Sequence, residues 1–312
     1  MASDDLRALV TAAGWAQEGY DVAVATVIET WGSAPRRKGS QLVIRGDGLF
    51  EGSVSGGCVE GDVITEAQQL LASGRVFHRL DYGVADETAW QVGLACGGTI
   101  SVLVQRLADS GFPLALIDRL VAAADGGEAV ALATNLTTGS TVENETGDVV
   151  FYWPPPRRLA IIGAVHIAQA LVPLALGLGI EVTVIDPRGL FAADQRFAGL
   201  ELDRRWPDEA LAEWQPNAAS AVVALTHDPK LDDIALAAAL RSPAFYIAAL
   251  GSRKNHARRC ERLALLGFDA AALARLHGPA GLDIGAADPA EIALSIAAEL
   301  TGNWRAHHSG KT

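Results

Sequence analysis

Two of the three cysteines in this chain lie beside a pair of glycines. They are Cys58, which follows Gly56 and Gly57, and Cys96, which precedes Gly97 and Gly98. A glycine pair lets the backbone approach a ligand with no Cβ in the way, and a thiolate is both a nucleophile and a soft metal ligand. The sequence therefore predicts a ligand or nucleophile site at these two stretches.

The residues after Cys58 predict a helix, because apolar side chains recur there at helical spacing. They are Val59, Val63, Ala67, Leu70 and Leu71. We therefore place Cys58 in the first turn of this helix, where the backbone N–H groups and the helix dipole favour an anion and a thiolate. Glu60 has two interpretations, either a ligand contact or proton carrier, or an acid that only complements the dipole.

Composition excludes several classes of protein. The net charge is −12 with no block of lysine or arginine, so the basic stripe of a nucleic-acid-binding protein is missing. Three cysteines without a regular framework fit a reducing compartment. The most apolar stretch, 168–180, is too short to span a membrane, and the acidic start does not resemble a signal peptide. We expect a soluble, cytoplasmic protein.

Three consecutive prolines divide the 312 residues in two. We predict an N-terminal α+β domain over 1–153, a stiff linker over 154–158, a second domain over 159–302 and a flexible tail over 303–312. In the second domain short apolar strands alternate with helices, which is typical of a doubly wound parallel sheet. The predicted class is α/β, a Rossmann-like C-terminal domain beside a smaller N-terminal domain, with the ligand between them.

The turn after the first strand of the second domain matches the dinucleotide fingerprint only in part. Gly163 stands at the first glycine position, but Val165 replaces the second, which lets a pyrophosphate approach. Asp186 ends the next predicted strand, where a ribose-binding acid would stand. Either this turn binds a dinucleotide or it only packs a helix tightly on a strand. His166, in the same turn, would line the crevice.

Two later strand ends also carry polar groups. Gly251, Ser252 and Arg253 follow one predicted strand and begin a helix, which predicts an anion site. His227 follows another strand, where it would position a ligand, while Asp228 could instead cap the next helix. The basic loop 36–38 has two interpretations, a phosphate contact or a solvated surface.

Four stretches together closely resemble the xanthine dehydrogenase accessory proteins of the XdhC/CoxI family. They are 29–35 (ETWGSAP), 52–60 (GSVSGGCVE), 94–99 (LACGGT) and 249–253 (ALGSR), within a resemblance that spans roughly 8–300. The Gly163 turn departs from the family in its second glycine. The resemblance implies a chaperone that binds molybdopterin with its molybdenum, holds it while a cysteine desulfurase supplies sulfur, and loads it into xanthine dehydrogenase. It also implies a homodimer.

We predict that the cofactor is held by residues of both domains. These candidates are Ser55, Gly56, Gly57, Cys58, Glu60, Cys96, Gly97, Gly98, Gly163, His166, Asp186, His227, Gly251, Ser252 and Arg253. Cys58 would contact the molybdenum, since a thiolate suits a metal–sulfur centre, and the glycine-rich turns suit a phosphate. We expect no catalytic turnover. The alternatives are an NAD(P)-dependent oxidoreductase that uses the second domain, and a sulfurtransferase that relays a persulfide through Cys58.

Overall fold

The computed structural model describes residues 4–32, 36–83, 98–189, 194–197, 199–200 and 202–308. The chain splits into two compact units, with the division between Pro155 and Pro156. None of the helices within these ranges is both long and apolar enough to cross a bilayer.

The N-terminal unit contains three helices and eight strands in the described ranges. In chain order they are α1 (Asp4–Gln17), β1 (Val22–Trp31), β2 (Gln41–Arg45), β3 (Phe50–Gly52), α2 (Glu60–Ser73), β4 (Phe77–Tyr82), β5 (Thr99–Arg106), α3 (Leu114–Gly126), β6 (Val130–Thr134), β7 (Thr141–Glu143) and β8 (Val149–Trp153). Five strands form an antiparallel sheet in the order β3-β2-β1-β5-β4, and three form a second sheet, β7-β6-β8. Strands β2 and β3 form an antiparallel hairpin, in which Leu42 pairs with Gly52.

Strand β1 is the centre of this unit because it is buried on both faces. Its β-branched sequence suits a strand, and successive side chains point to opposite faces. Val22 and Val24 pack on α1 and α3 in one core. Ala23, Ala25 and Val27 pack in the other core, which contains the apolar face of α2. The five-stranded sheet therefore fixes the start of α2, where Cys58 lies.

The C-terminal unit is a parallel sheet flanked by helices, as predicted. Its elements are β9 (Arg158–Ile162), α4 (His166–Gly177), β10 (Glu181–Ile185), β11 (Leu202–Asp203), α5 (Pro207–Trp214), β12 (Ser220–Ala224), α6 (Pro229–Leu240), β13 (Tyr246–Ala249), α7 (Arg253–Leu265), α8 (Ala270–Leu273), β14 (Leu276–His277) and α9 (Pro289–His308). The six strands lie in the order β11-β10-β9-β12-β13-β14, and all five pairings are parallel.

This strand order, 3-2-1-4-5-6 within the unit, is that of the Rossmann fold. The order reverses between β9 and β12, so a crevice forms beyond their carboxyl ends, where such sheets bind ligands. Two apolar cores cover the faces of the sheet.

The prediction of a flexible tail from 303 is wrong for residues up to His308, because α9 continues to that residue. Trp304 is buried and packs edge-on against Phe245, with ring centroids 5.0 Å apart. Burial of this indole stabilises the last turns of the helix.

Candidate functional site

The loop before α2 carries Cys58, but not in the first helical turn as predicted. The helix begins at Glu60 with Val59 as its N-cap, so Cys58 lies one residue before the cap. The reason is that Gly56 and Gly57 have φ of 81° and 118°, which no helix contains. A Cβ at Gly57 would meet nothing within 4 Å, so space is open above the loop.

The loop is folded around the carboxylate of Glu60, which is only 8% exposed. Six groups donate hydrogen bonds to it, at 2.5 to 3.1 Å: the hydroxyls of Ser53 and Ser55, and the backbone N–H groups of Val54, Ser55, Gly56 and Gly57. Successive N–H groups that converge in this way form an anion-binding nest. Here the anion belongs to the protein itself.

These hydrogen bonds decide the ionisation of Glu60. Burial by itself raises the pKa of a carboxyl group. The hydrogen bonds from Ser55, Ser53 and the backbone outweigh burial and lower the pKa of Glu60 to about 2. The carboxylate is therefore ionised and fully engaged by the loop, which favours the second interpretation of Glu60, an acid that neutralises local N–H groups. Its contacts make it a positioning residue for the loop that presents Cys58.

Cys58 itself is half-buried and free of a disulfide. It packs against the core that contains Val54 and Val63. A thiol held at the rim of a core, after two glycines with fixed conformation, can contact a ligand with little loss of conformational freedom. Of the second predicted stretch, Cys96 and Gly97 lie outside the described residues, and Gly98 is buried just before β5.

Arg36 joins the basic loop to the Cys58 loop and also pairs with Asp5, a residue that the sequence analysis did not single out. The guanidinium of Arg36 lies 3.3 Å from the Asp5 carboxylate and also donates to the Ser53 carbonyl at 3.0 Å. Arg37 approaches the same carboxylate at 3.7 Å. Asp5 is buried and accepts the N–H of Gln41 at 3.0 Å. Arg36 therefore stabilises the Cys58 loop and is not only a solvated surface residue.

In the C-terminal unit, Gly163 lies where the strand order reverses. Its φ is 110°, and a Cβ there would lie 2.7 Å from the Thr226 Cγ2 atom, just beyond β12. Both the backbone conformation and the close approach of the two strand ends require glycine. His166 begins α4 and is exposed.

Asp186, predicted as a ribose-binding acid, is used inside the protein. One carboxylate oxygen accepts the N–H of Ala164 at 2.8 Å, and Arg188 donates to both oxygens at 2.8 and 2.9 Å. Burial raises the pKa of Asp186, but the bonds from Arg188 and from backbone N–H groups outweigh it and lower the pKa. The side chain is 1% exposed, so it holds the Gly163 turn in shape.

The other two strand ends lie on the same edge of the sheet. His227 is exposed, with φ of 62°, unusual for a residue other than glycine. Asp228 accepts the N–H of Lys230 and caps α6, so capping, one of the two roles considered, is present. Gly251 has φ of 138°, and Ser252 caps α7 by accepting the N–H of Asn255.

Arg253 begins α7 and is 89% exposed, with the equally exposed Asp283 at 3.9 Å. The sequence analysis missed the guanidinium below it. Arg259, in the same helix, is 4% exposed and donates to the Leu250 carbonyl at 3.0 Å. The burial of Arg259 could not be predicted, because the sequence does not distinguish a buried arginine from an exposed one on a helix that is rich in basic residues.

The structure thus brings Gly163, Asp186, His227 and the Gly251 turn to one edge of the parallel sheet, and places Cys58 and Glu60 together in the N-terminal unit. Among the residues it describes, no group of three His, Cys, Asp or Glu side chains is arranged to hold a metal ion.

Comparison with known proteins gives the family. Residues 15–83 match the model of the XdhC and CoxI family, and residues 159–300 match that of the XdhC Rossmann domain. An Escherichia coli protein named molybdenum cofactor insertion chaperone PaoD is 31% identical over 309 residues, which cover 96% of this chain and 88% of PaoD. The chain belongs to the XdhC and CoxI family.

Two further relatives agree with this membership of the XdhC and CoxI family. A Bacillus subtilis protein named as a probable subunit of xanthine dehydrogenase is 26% identical, over 91% of this chain and 93% of its own length. A crystal structure from Bacillus halodurans, described as a xanthine dehydrogenase, is 25% identical and covers 99% of this chain and 98% of that one, with a TM-score of 0.80. The predicted resemblance and the predicted Rossmann-like fold are thereby confirmed.

Proposed function

We propose that this chain binds the molybdenum cofactor and delivers it to a xanthine dehydrogenase-type enzyme, without turnover of its own. The observation that carries the proposal is the preorganised Cys58 loop, in a chain that shares 31% of its residues with a protein named as a molybdenum cofactor insertion chaperone. The cofactor is cargo here, because its dithiolene already holds the metal.

The Cys58 loop suits this cargo in three respects. A thiolate is a good ligand for a soft metal–sulfur centre. The two glycines leave space above the loop for a bulky group, since a Cβ at Gly57 would meet nothing within 4 Å. The engaged Glu60 carboxylate fixes the backbone before the cargo arrives, which lowers the entropic cost of binding. We therefore propose Cys58 as the contact to molybdenum, with Ser55, Gly56 and Gly57 beside it.

The remaining candidate residues are proposed to bind other parts of the cofactor. Gly163, His166 and His227 surround the crevice of the C-terminal unit, and Cys96, Gly97 and Gly98 form the second cysteine stretch. The cysteine desulfurase and the homodimer remain predictions of the family resemblance, and the cytoplasmic location remains a prediction from composition.

The test is retention of molybdenum–molybdopterin by the purified chain in anaerobic ultrafiltration. We expect the wild type to retain about one cofactor per chain and Cys58→Ala to retain much less. Cys260→Ala is the matched control, because Cys260 is also a free, half-buried thiol but lies in α7. Equal retention by Cys58→Ala and the control would remove Cys58 from the site, and no retention by the wild type would overturn the function itself.

A second candidate function is sulfur transfer through Cys58, which its accessible position supports. In this reaction the Cys58 thiolate attacks the outer sulfur of a desulfurase persulfide, the desulfurase thiolate leaves, and Cys58 becomes the persulfide. Mass spectrometry after incubation with a cysteine desulfurase and cysteine distinguishes the two functions. A gain of one sulfur atom on the peptide that contains Cys58, with none on Cys260, supports the relay, and an unmodified Cys58 argues against it.

A further inference from the structure

Strand β4 has no partner strand on its outer side within the described part of the chain. The order β3-β2-β1-β5-β4 places β4 at one edge of the five-stranded sheet and β3 at the other. Strand β4 has six residues, whereas β3 has three. Among the strands that the structure describes, β4 is the longest at a sheet edge. An open edge of this length is a template for pairing with a further strand.

The backbone groups that face outward from this edge belong to alternate residues. The N–H of Arg106 in β5 donates to the Val76 carbonyl at 2.8 Å, so residue 76 bonds inward. Every second residue of an antiparallel strand bonds to the same neighbour, so residues 78, 80 and 82 also bond to β5. Residues 77, 79 and 81 therefore direct their N–H and C=O groups away from the sheet, where another strand could pair with them.

The side chains of β4 place apolar and charged groups on opposite faces. Leu80 and Tyr82 pack against the core that contains the apolar face of α2. Arg79 and Asp81 lie on the other face, with their side chains 41% and 60% exposed and 2.9 Å apart. Arg79 also lies 3.7 Å from the exposed Glu29 carboxylate. Exposed ion pairs of this kind contribute little to stability, so Arg79 and Asp81 can pair with a second strand instead.

We propose that β4 is the edge through which two copies of this chain pair, in an antiparallel arrangement with the twofold axis at Leu80. In this register Arg79 of each copy lies opposite Asp81 of the other, and each such pair exchanges backbone hydrogen bonds. Opposite charges directly across an antiparallel pair stabilise it. On the other face Leu80 lies opposite Leu80 of the second copy, and His78 lies opposite Tyr82. The two sheets thereby become continuous across the axis.

The charges of β4 favour this register over its neighbours. An axis at Arg79 would place two guanidinium groups opposite each other, and an axis at Asp81 would do the same with two carboxylates. An axis at His78 would place Arg79 opposite Phe77. An axis between two residues would place outward-facing N–H groups opposite inward-facing ones, so the backbone bonds would be lost. The axis at Leu80 places both charges of the strand opposite their counter-charges.

Analytical ultracentrifugation of the full chain over a range of concentrations, with no cofactor added, tests this surface. We expect a monomer–dimer equilibrium in the wild type. Arg79→Asp and Asp81→Arg each place like charges opposite each other at both symmetric positions. Each should therefore raise the dissociation constant of the dimer by at least about tenfold. Arg7→Asp is the matched control, because Arg7 is 60% exposed and pairs with Glu51 of β3, at the opposite edge of the sheet.

Mixing the two charge variants gives a second test that does not depend on their individual stability. A copy with Arg79→Asp carries two acids at these positions, and a copy with Asp81→Arg carries two cations. The mixture should therefore form a heterodimer, although neither variant dimerises well alone. The double variant R79D/D81R restores opposite charges across the axis and should dimerise as the wild type does. Recovery in these samples excludes misfolding as the cause of the loss.

Two results would overturn the proposal. One is a wild type that stays monomeric at every concentration, which would leave the edge open to a strand of another protein. The other is a dimer that Arg79→Asp and Asp81→Arg weaken no more than Arg7→Asp does, which would place the dimer contact on another surface. Neither result bears on the proposed function, because retention of the cofactor is measured separately by ultrafiltration.

Discussion

Replacing Glu60 by glutamine tests whether the Cys58 loop is built on a carboxylate. Glutamine keeps the length of the side chain but removes its charge and turns one acceptor oxygen into a donor. That donor would face the N–H groups that now converge on the Glu60 carboxylate, for example those of Ser55 at 2.8 Å and Gly57 at 2.8 Å. At least one backbone N–H would lose its partner.

The magnitude follows from the ionisation of Glu60. Lowering its pKa from 4.5 to about 2 corresponds to about 3 kcal/mol of preference for the ionised form in the folded state. A backbone N–H left without a partner adds about 1–3 kcal/mol. We therefore expect Glu60→Gln to lower the free energy of unfolding of the N-terminal unit by about 4–6 kcal/mol at pH 7.

The sign of the pH dependence is fixed by the direction of the shift. Because the folded-state pKa is lowered, the stabilisation is fully present above pH 4.5 and is lost as the pH falls toward 2. The difference between wild type and Glu60→Gln should therefore shrink over this window. Urea unfolding at several pH values measures it, and hydrogen exchange of the amides at Val54 to Gly57 reports the loop directly.

The matched control is Glu209→Gln, an exposed acid in the first turn of α5. This substitution removes a favourable charge from a helix N-terminus, which is worth about 1 kcal/mol at most. It does not remove the acceptor of an anion-binding nest, as Glu60→Gln does. If Glu60→Gln were no less stable than this control, with unchanged exchange in the loop, the assignment of Glu60 as a positioning residue would be refuted.

Three further substitutions test the glycine turns and the acid behind them. Gly57→Ala should lower the free energy of unfolding by about 1–3 kcal/mol, since the φ of Gly57 is 118°. Gly61→Ala lies within α2, where an added Cβ meets no atom within 4 Å, and it should raise the stability measured by thermal unfolding by up to about 1 kcal/mol. Gly163→Ala should cost about 2–5 kcal/mol because of strain and overlap with Thr226, and Thr226→Ser in the same chain should recover part of the loss, since serine lacks the methyl group. Asp186→Asn should lower the free energy of unfolding by about 1–3 kcal/mol at pH 7. Because the folded-state pKa of Asp186 is lowered, the difference in stability between this variant and the wild type should narrow as the pH falls below 3.8. A difference that widened in scanning calorimetry would contradict the assignment of Asp186 as the residue that holds the Gly163 turn.

The long elements could be predicted because their patterns extend over several turns or strand residues. Helix α2 covers 60–73, where apolar side chains recur at helical spacing, and the alternation of strands and helices after the prolines was sufficient to predict the parallel sheet. Strands β11 and β14 have two residues each, too few for any period. They exist because neighbouring strands of the sheet supply their partners.

The candidate site could be predicted in its residue types but not in its contacts. Gly56 and Gly57, which the sequence singles out beside Cys58, have positive φ values that favour glycine. The bond between Arg36 and Asp5, by contrast, joins residues 31 positions apart. The same holds for Ala164 and Asp186, 22 positions apart. Such pairings depend on how the loops fold over the sheets, which local spacing does not encode.

Two acids among the candidate ligand-binding residues, Glu60 and Asp186, have the same role in the structure. Each accepts N–H groups from a glycine turn in its own unit, and each has a lowered pKa. An NAD ribose bound in the usual pose would have to displace Arg188 from Asp186, and charged hydrogen bonds of this kind are worth about 1.5–3 kcal/mol each. Contact of a ligand with the Cys58 thiol needs no such exchange, because the hydrogen bonds of Glu60 leave that thiol available. The contacts of Asp186 therefore argue against an NAD ribose bound in the usual pose.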